Sequence, residues 1–233
     1  RQVGSTFKPF VYATAIDRLQ KSPCDMIMDS PFTILKGDNN DKDWTPNNSD
    51  GKFRGLVSMK KALANSINTV SARLIHEVGA PAVVEMTKNL GVTSDIPNRP
   101  AIALGAVEIT VEEMVAAFST FANEGVYIKP QLITRIEDKN GVVIYQGVEE
   151  SHDVVNKDVA YSIIKLMEGV TESGTGSRLR WAASAPSNFL TGVPYNIKGP
   201  VAGKTGTSQN NSDGWFIGMV PNLAAGVWVG NED

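Results

Sequence analysis

The sequence predicts a fold of the α/β class, α+β type, in which helices flank an antiparallel sheet. The order of signals supports this class: helical apolar spacing comes first, an Asn-Gly turn signal follows, and strand-like segments close the chain. Short turns separate the closing segments, which favours an antiparallel meander. A chain of 233 residues with 42% hydrophobic residues is expected to form one domain over residues 1–233.

Helix signals dominate the first part of the sequence. The segment from Ser5 to Gln20 is apolar nearly all round, which predicts a buried helix, and Pro9 places its start near Ser5. Residues 21–55 are rich in Asp, Asn, Gly and Pro and predict an extended loop. The other predicted helices cover residues 58–65, 68–78, 81–90, 110–125 (opened by a Thr110–Glu113 capping box) and 159–167.

Strand signals dominate the second part. Residues 131–137 and 142–145 flank Asn140-Gly141, a strong hairpin signal. Gly174-Thr175-Gly176 opens a long polar loop that reaches residue 200. The closing strands are predicted at Val201–Ser208, Gly214–Val220 and Ala224–Gly230.

Composition excludes several classes of function. A formal net charge of −3 gives no support for nucleic-acid binding, which needs a basic surface. The single Cys24 excludes an internal disulfide, and only His76 and His152 are available for a metal cluster, so we expect neither a metal site nor a cofactor. No run approaches the length of a membrane span, and no signal peptide opens the chain.

Ser5 and Lys8 form the first chemical motif. They lie three residues apart at a predicted helix start, so their side chains share a face near amides that favour a developing oxyanion. A buried Lys8 close to a second cation would have a lowered pKa, and its neutral amine could take the Ser5 proton. The alternative is a capping Ser beside a solvated Lys, which is the common case for an isolated S-x-x-K match.

Ser66 and Asn68 form the second motif, at a junction between two predicted helices. A hydroxyl there could relay a proton to a leaving amine, and the amide could bind a substrate carbonyl. The alternative for Ser66 alone is capping at the helix junction.

The third motif is Lys204-Thr205-Gly206-Thr207 on a predicted edge strand. A Lys followed by two hydroxyls suits capture of a substrate carboxylate, while Gly206 permits close approach of a ligand backbone. The alternative is a solvated edge strand guarded by its Lys.

Chance matches show that only the ordered combination carries information. Ser58-Met59-Lys60-Lys61 repeats the S-x-x-K pattern, and we interpret Ser58 as an ordinary N-cap. Ser208-Gln209-Asn210 likewise mimics the second motif.

In their order, the three motifs are the signature of penicillin-binding proteins and class A β-lactamases. The chain most resembles the transpeptidase domain of class A, bifunctional penicillin-binding proteins, and the resemblance covers nearly its whole length. The stretches that carry it are Arg1–Phe10, Trp44–Asn47, Phe53–Gly55, Leu104–Thr110, Phe121–Gly125, Gly203–Thr207, Asp213–Phe216 and Gly226–Gly230.

The resemblance implies a serine acyl-enzyme mechanism. Ser5 would be the nucleophile and Lys8 its base, while Ser66 and Lys204 would shuttle protons. The implied reaction is D,D-transpeptidation of peptidoglycan stem peptides that end in D-Ala-D-Ala, and β-lactams would acylate the same serine.

The resemblance also implies substrate-binding roles. Asn68 would hold the peptide, Thr205 and Thr207 would grip its terminal carboxylate beside Gly206, and the amides of Ser5 and Thr207 would form the oxyanion hole.

Two alternatives keep the fold but change the function. A serine β-lactamase would need a Glu to activate the deacylating water, and Glu85-x-x-x-Asn89 follows Ser66 too closely to supply it; Ile67 also stands where β-lactamases usually carry Asp. A non-catalytic β-lactam sensor would be labelled covalently by a penicillin just as an enzyme would. The complete set of motif residues argues against a protein that is only a scaffold.

Relatives of this kind carry a membrane anchor and a glycosyltransferase domain upstream. We therefore expect an extracytoplasmic protein whose only link to a membrane lies upstream, and a fold that lacks its first two strands and its last helix. Residues 224–230 would then form an unpaired edge, which predicts self-association.

Overall fold

The structure is a computed structural model that describes residues 1–37, 42–181, 196–208 and 212–230. Its α-helices are α1 (Lys8–Leu19), α2 (Met59–Ala64), α3 (Asn68–Val78), α4 (Ala80–Asn89), α5 (Val111–Ala122) and α6 (Lys157–Glu172). Three 3₁₀ turns accompany them at Gly4–Phe7, Pro100–Leu104 and Ser177–Arg180.

The described strands form antiparallel pairs and one larger sheet. They are β1 (Met26–Asp29), β2 (Gly55–Ser58), β3 (Val126–Ile128), β4 (Arg135–Glu137), β5 (Val143–Gln146), β6 (Ser151–Asp153), β7 (Ala202–Thr207), β8 (Asp213–Val220) and β9 (Leu223–Gly230). The larger sheet is three-stranded, in the order β7-β8-β9, and the pairs are β1-β2, β3-β6 and β4-β5. The predicted antiparallel meander and the hairpin around Gly141 are both confirmed.

Helix α1 runs through the centre of the core. Nine of its residues are buried, from Lys8 to Ile16, so it has almost no polar face and packs against α3, α4 and α6. Phe10 makes edge-to-face contacts with Phe7 and with Phe118 of α5, with ring centroids 5.3 Å and 5.6 Å apart, respectively. Since α5 and α6 also pack on the sheet, the core fixes the start of α1 relative to β7.

The helix predictions are confirmed with small shifts at their ends. Helix α3 spans the predicted residues 68–78, and α5 begins with the predicted capping box, in which Thr110 and Glu113 exchange hydrogen bonds. Helix α6 is longer than predicted at both ends. Asn156 caps it, so it begins at Lys157, two residues before the predicted start, and its buried face continues to Thr171. The first predicted helix is wrong at its start, because Ser5 lies in a 3₁₀ turn and the α-helix begins at Lys8.

The region predicted as a loop, residues 21–55, contains strand β1 and the first residue of β2. The two strands pair with each other from Asp29↔Gly55 to Met26↔Ser58. Because a long polar segment separates the two strands, no short-range turn signal predicts this pairing. Residues 182–195 of the predicted polar loop, and Gln209 and Asn210 of the chance motif, lie outside the described residues.

In the part of the chain that the structure describes, no helix is both long and apolar enough to cross a bilayer. The same residues contain no group of three or more His, Cys, Asp or Glu side chains able to hold a metal ion.

Strand β9 is expected to make the chain self-associate. Within the described residues it pairs only with β8, and its outward side chains Val227 and Val229 are 53% and 69% exposed. Such an edge is a template for a further strand. We expect light scattering after size exclusion to show a mass that rises with protein concentration.

The Val227→Lys/Val229→Lys double variant should lower that mass toward the monomer, because lysines on an edge strand oppose pairing. Tyr161→Lys, at an equally exposed position on α6, is the matched control and should leave it unchanged. A monomer at every concentration would refute the expectation.

Candidate active site

Ser5 is presented by a tight turn that packs against strand β7. The turn Gly4–Phe7 leads directly into α1, and Gly4 has a φ of +53°, a conformation that side-chain-bearing residues rarely adopt. A Cβ on Gly4 would lie 2.4 Å from the carbonyl oxygen of Thr207, so the two backbones are in contact. Glycine is required here by both conformation and space, and this contact brings Ser5 to the end of β7.

Lys8 is buried at the first turn of α1 and points at the junction between α2 and α3. Its Nζ donates to the carbonyl oxygen of Ser66 at 2.6 Å, to Ser66 Oγ at 3.0 Å and to Asn68 Oδ1 at 2.6 Å. The side chain has no exposed surface. The alternative of a solvated Lys beside a capping Ser is therefore wrong for Lys8.

Ser66 occupies a strained position between the two helices. Its φ is +55°, in the left-handed region, which is uncommon for residues other than glycine. Its Oγ accepts hydrogen bonds from both Lys8 and Lys204, each at 3.0 Å. Since both lone pairs are engaged, its own proton is free to point into the cleft. Strain of this kind is typical of functional sites.

Lys204 is the second buried amine of the site. Although β7 is an edge strand, Lys204 has no exposed surface, and its Nζ also donates to the carbonyl oxygen of Thr205 at 2.9 Å. The alternative, in which Lys204 is a solvent-exposed lysine that protects the edge strand from association, is therefore wrong as well.

Burial changes the protonation of both amines. Burial lowers the pKa of Lys204 to about 7. Burial also lowers the pKa of Lys8 well below its usual range, and the neighbouring Lys204 charge lowers it further. The pair thus has a neutral amine available near neutral pH, which an exposed lysine would not have.

Ser5 and Ser66, whose Oγ contacts both amines, line an open cleft of about 560 Å³. Thr205 and Thr207 lie on the β7 wall, and the Thr205 hydroxyl shares a hydrogen bond of 2.6 Å with the hydroxyl of Thr175. The lining residues are Ser5, Asn48, Ser49, Asp50, Arg54, Asn65, Ser66, Ile67, Thr175, Thr205 and Thr207. The three predicted motifs therefore converge on one cleft.

Gly206 packs closely on the Ser5 turn. A Cβ at this position would lie 2.7 Å from the Val3 carbonyl oxygen and 2.8 Å from Thr6 Cγ2. Glycine is therefore needed here for β7 to pack on the turn. The substrate-binding role of Gly206 stays a prediction.

Other sequence features remain outside the cleft. Ser58 Oγ accepts a hydrogen bond from the Lys61 amide, which confirms Ser58 as an ordinary N-cap. Glu85, the weak candidate for a lactamase base, pairs with Arg18 at 3.4 Å. His152 contacts the carbonyl oxygen of Asn89.

Seven residues that line the cleft were not among the predicted site residues: Asn48, Ser49, Asp50, Arg54, Asn65, Ile67 and Thr175. Thr175 lies in the Gly174–Gly176 segment, whose sequence is also typical of a flexible hinge. Residues 48–54 follow the Trp44–Asn47 stretch, but their polar sequence is also typical of any surface loop. Only the pairing of β1 with β2 brings that loop to the site.

Comparison with known sequences identifies relatives over the whole chain. The profile of the family described as penicillin binding protein transpeptidase domain matches residues 1–231. Penicillin-binding protein 1A of Aquifex aeolicus is 35% identical over 234 residues, covering 100% of this chain and 30% of that protein. Penicillin-binding protein 1A of Neisseria flavescens is 33% identical over 236 residues, covering 99% of this chain and 28% of that protein. The chain thus spans less than a third of the curated relatives that it matches.

Solved structures share the fold. Penicillin-binding protein 1A from Haemophilus influenzae superposes with a TM-score of 0.84 at 24% identity, over 100% of this chain and 38% of that one. The PonA1 protein from Mycobacterium tuberculosis, solved in complex with penicillin V, gives a TM-score of 0.81 at 25% identity, over 100% of this chain and 61% of that one. The predicted fold class and the resemblance drawn from the motifs are both confirmed: this chain belongs to the penicillin-binding protein transpeptidase domain family.

Proposed function

We propose that this chain is a serine D,D-transpeptidase that cross-links peptidoglycan stem peptides through an acyl-enzyme on Ser5. The observation that carries the proposal is the Ser66 hydroxyl, which accepts hydrogen bonds from two buried amines, Lys8 and Lys204, in the cleft that Ser5 lines. Burying two like charges is costly, so this arrangement favours a catalytic purpose over a structural one.

Acylation uses the groups of the first two motifs. A neutral amine has two N–H donors, so in this form Lys8 keeps two of its three hydrogen bonds. Its lone pair takes the proton of Ser5 Oγ while that oxygen attacks the carbonyl carbon of the penultimate D-alanine. The peptide bond breaks, and the leaving D-alanine amine receives a proton from Ser66, which Lys204 and Lys8 resupply. The exchange is balanced, because the proton lost by the nucleophile replaces the one given to the leaving group.

The wall formed by β7 binds the substrate and stabilises the transition state. The amides of Ser5 and Thr207 hold the oxyanion, and each such donor is worth about 3–4 kcal/mol. The hydroxyls of Thr205 and Thr207 bind the terminal carboxylate, while Asn68 binds the peptide. Deacylation repeats the chemistry in reverse when an amine of a second stem peptide attacks the ester and frees Ser5.

β-Lactams are proposed as inhibitors that acylate the same serine. The related PonA1 protein has been solved with penicillin V, which supports binding of this class of compound. A cyclic amide keeps its leaving amine attached to the acyl group, so the amine stays near the ester and blocks the second substrate. The acyl-enzyme is then expected to be long-lived.

Asp50 argues against the β-lactamase alternative. Among the described residues that line the cleft it is the one carboxylate, and it pairs with the Arg54 guanidinium. Hydrogen bonds from the Lys52 amide and from Arg54 hold the pKa of Asp50 below its usual range, which makes it a weak base for a deacylating water. A β-lactam sensor would share the acylation step and differ in lacking transpeptidation.

We extend the proposal to organisation and location. Residues 1–233 are proposed to act as one transpeptidase domain, since the family profile covers 1–231 and one apolar core runs from Val3 to Met219. The substrate is found outside the cytoplasm, so the chain is proposed to be extracytoplasmic, and no nucleic-acid partner or cofactor is proposed.

Intact mass spectrometry tests the proposal. Excess benzylpenicillin is expected to add the mass of one penicilloyl group per chain, and nitrocefin should give one stoichiometric burst without sustained turnover. Many nitrocefin turnovers would establish the β-lactamase alternative. If adduct formation is normal but a D-alanyl-D-alanine peptide neither releases D-alanine nor transfers its acyl group to an added acceptor amine, the sensor alternative is correct.

A further inference from the structure

Helix α3, which begins at Asn68, has no capping side chain of its own. Its N-cap residue is Ile67, which cannot accept a hydrogen bond through its side chain. Asn48 supplies the acceptor from a distant loop: its Oδ1 accepts from the amides of Asn68 at 2.9 Å and Thr69 at 3.3 Å. The start of α3 is therefore capped from outside the helix.

Asn48 is held in turn by a buried carboxylate. Its Nδ2 donates to Asp29 Oδ1 at 2.7 Å and to the carbonyl oxygen of Lys52 at 2.8 Å. Asp29, at the end of β1, has no exposed surface and also accepts from the Thr69 hydroxyl at 2.6 Å and the Arg54 amide at 3.0 Å. These donors satisfy the carboxylate on both oxygens.

The charge on Asp29 fixes the orientation of the Asn48 amide. Burial pushes the pKa of Asp29 upward, but the hydrogen bonds from Thr69, Asn48 and Arg54 outweigh it and hold the pKa below its usual value. An ionised carboxylate only accepts hydrogen bonds, so Asn48 must turn its NH₂ group toward Asp29. Its oxygen then faces the amides of α3.

The capped segment is the one that holds the amine of Lys8. The three hydrogen bonds described for Lys8 Nζ go to Ser66 and Asn68. The side chain of Asn68 is also tied to the same loop, because its Nδ2 donates to the carbonyl oxygen of Asn47 at 2.8 Å. Residues 47 and 48 thus hold both the backbone and the side chain of Asn68.

We propose that Asn48, oriented by Asp29, is a positioning residue that holds residues 66–68 against the amine of Lys8 and so sets the acylation rate. The inference rests on the proposed function, because acylation is its readout. Asn48 acts through Ser66 and Asn68, so its loss changes the rate of the covalent step more than the affinity of the initial complex. A misplacement of about 1 Å can lower a rate about 100-fold.

The first test compares two Asn→Ala variants that each remove a helix cap. Asn156 caps α6 by accepting from the Val159 amide at 2.9 Å, so Asn156→Ala is the matched control away from the cleft. We expect Asn48→Ala to lower the rate constant for acylation by a fluorescent penicillin by about 10- to 100-fold. The dissociation constant of the initial complex should change less than about threefold, and Asn156→Ala should acylate normally.

The second test exchanges the two partners. Asn48→Asp places two carboxylates together and should acylate as slowly as Asn48→Ala, whereas the Asp29→Asn/Asn48→Asp double variant restores a donor–acceptor pair. The double variant should recover at least about fivefold in rate, less than fully because the carboxylate introduced at position 48 would face the Lys52 carbonyl. If Asn48→Ala does not fold, these two variants decide the question.

Hydrogen exchange gives a readout that does not depend on acylation. The amides of Asn68 and Thr69 should exchange faster in Asn48→Ala than in Asn156→Ala. Equal acylation rates in the two variants, or unchanged exchange at these amides, would overturn the proposal. If the unmodified chain forms no adduct, the proposed function fails, and the exchange comparison alone then decides whether Asn48 holds residues 66–68.

Discussion

Replacing Ser5 with alanine is expected to abolish covalent labelling by penicillin, lowering the acylation rate by a factor on the order of 10⁴ or more. Ser5 lines the cleft at which the Lys8 and Lys204 amines converge, and alanine removes the attacking oxygen while leaving both amines in place. The measurement is intact mass after a fixed exposure to excess benzylpenicillin.

Ser58→Ala is the matched control, because Ser58 opens the other S-x-x-K sequence in the chain. Ser58 caps α2 through the Lys61 amide, so its loss should cost about 1 kcal/mol of stability and leave labelling intact. An adduct that persists in Ser5→Ala, or that disappears in Ser58→Ala, would show that the wrong serine has been assigned.

Features set by local chemistry could be predicted from the sequence. The capping box of α5 depends on two residues three positions apart, Thr110 and Glu113, and both of its hydrogen bonds are present. The hairpin around Gly141 follows from a turn that needs positive φ, and Gly141 has a φ of +83°. In both cases the deciding contacts lie within a few residues of the signal.

Features set by distant contacts could not be predicted in the same way. The turn that presents Ser5 is 3₁₀ rather than α-helical, and it packs against Thr207, near the other end of the 233-residue sequence. The burial of Lys204 was hidden because β7 shows no alternating apolar face. The cap that Asn48 provides for α3 has no local pattern, since α3 begins 20 residues further on.

The motif residues could be predicted as a group because their order carries information that each single match lacks, and residues of all three motifs line one cleft. Ser5 and Ser58 open the same pattern, and the structure separates them by what surrounds the following lysine. Lys8 is fully buried and contacts Ser66, while Lys61 is exposed at the end of α2. Burial of that lysine, not the sequence pattern, distinguishes Ser5, the proposed nucleophile, from the capping Ser58.

Lys204→Met is expected to lower acylation at least about 100-fold while making the folded chain more stable at neutral pH. The side chain of Lys204 is fully buried, and its pKa is lowered from 10.5 to about 7. Methionine fills similar space without a charge to desolvate, and it also removes the repulsion felt by Lys8. The acylation rate falls because the proton relay through Ser66 loses one of its two amines.

The stability effect should depend on pH in a direction that follows from the lowered pKa. Between about pH 7 and 10.5 the unfolded chain binds more protons at Lys204 than the folded chain does, so the stability of the unmodified chain rises with pH in this window. The penalty for burying the amine is about 4 kcal/mol at pH 7 and about 1 kcal/mol at pH 10. Methionine removes this penalty at both pH values.

Methionine also leaves the carbonyl oxygen of Thr205 without its 2.9 Å partner, at a cost of about 1–3 kcal/mol. The burial penalty that methionine removes exceeds this cost at pH 7, so Lys204→Met should be more stable than the unmodified chain there. By pH 10 the difference in free energy of unfolding should disappear or reverse. Urea denaturation at the two pH values measures this difference. Lys157→Met, at an exposed lysine paired with Glu124, is the control. It should show neither the gain in stability nor the loss of labelling. If Lys204→Met were less stable than the unmodified chain at pH 7, burial of the Lys204 amine would not be destabilising, and the lowered pKa of Lys204 would be refuted.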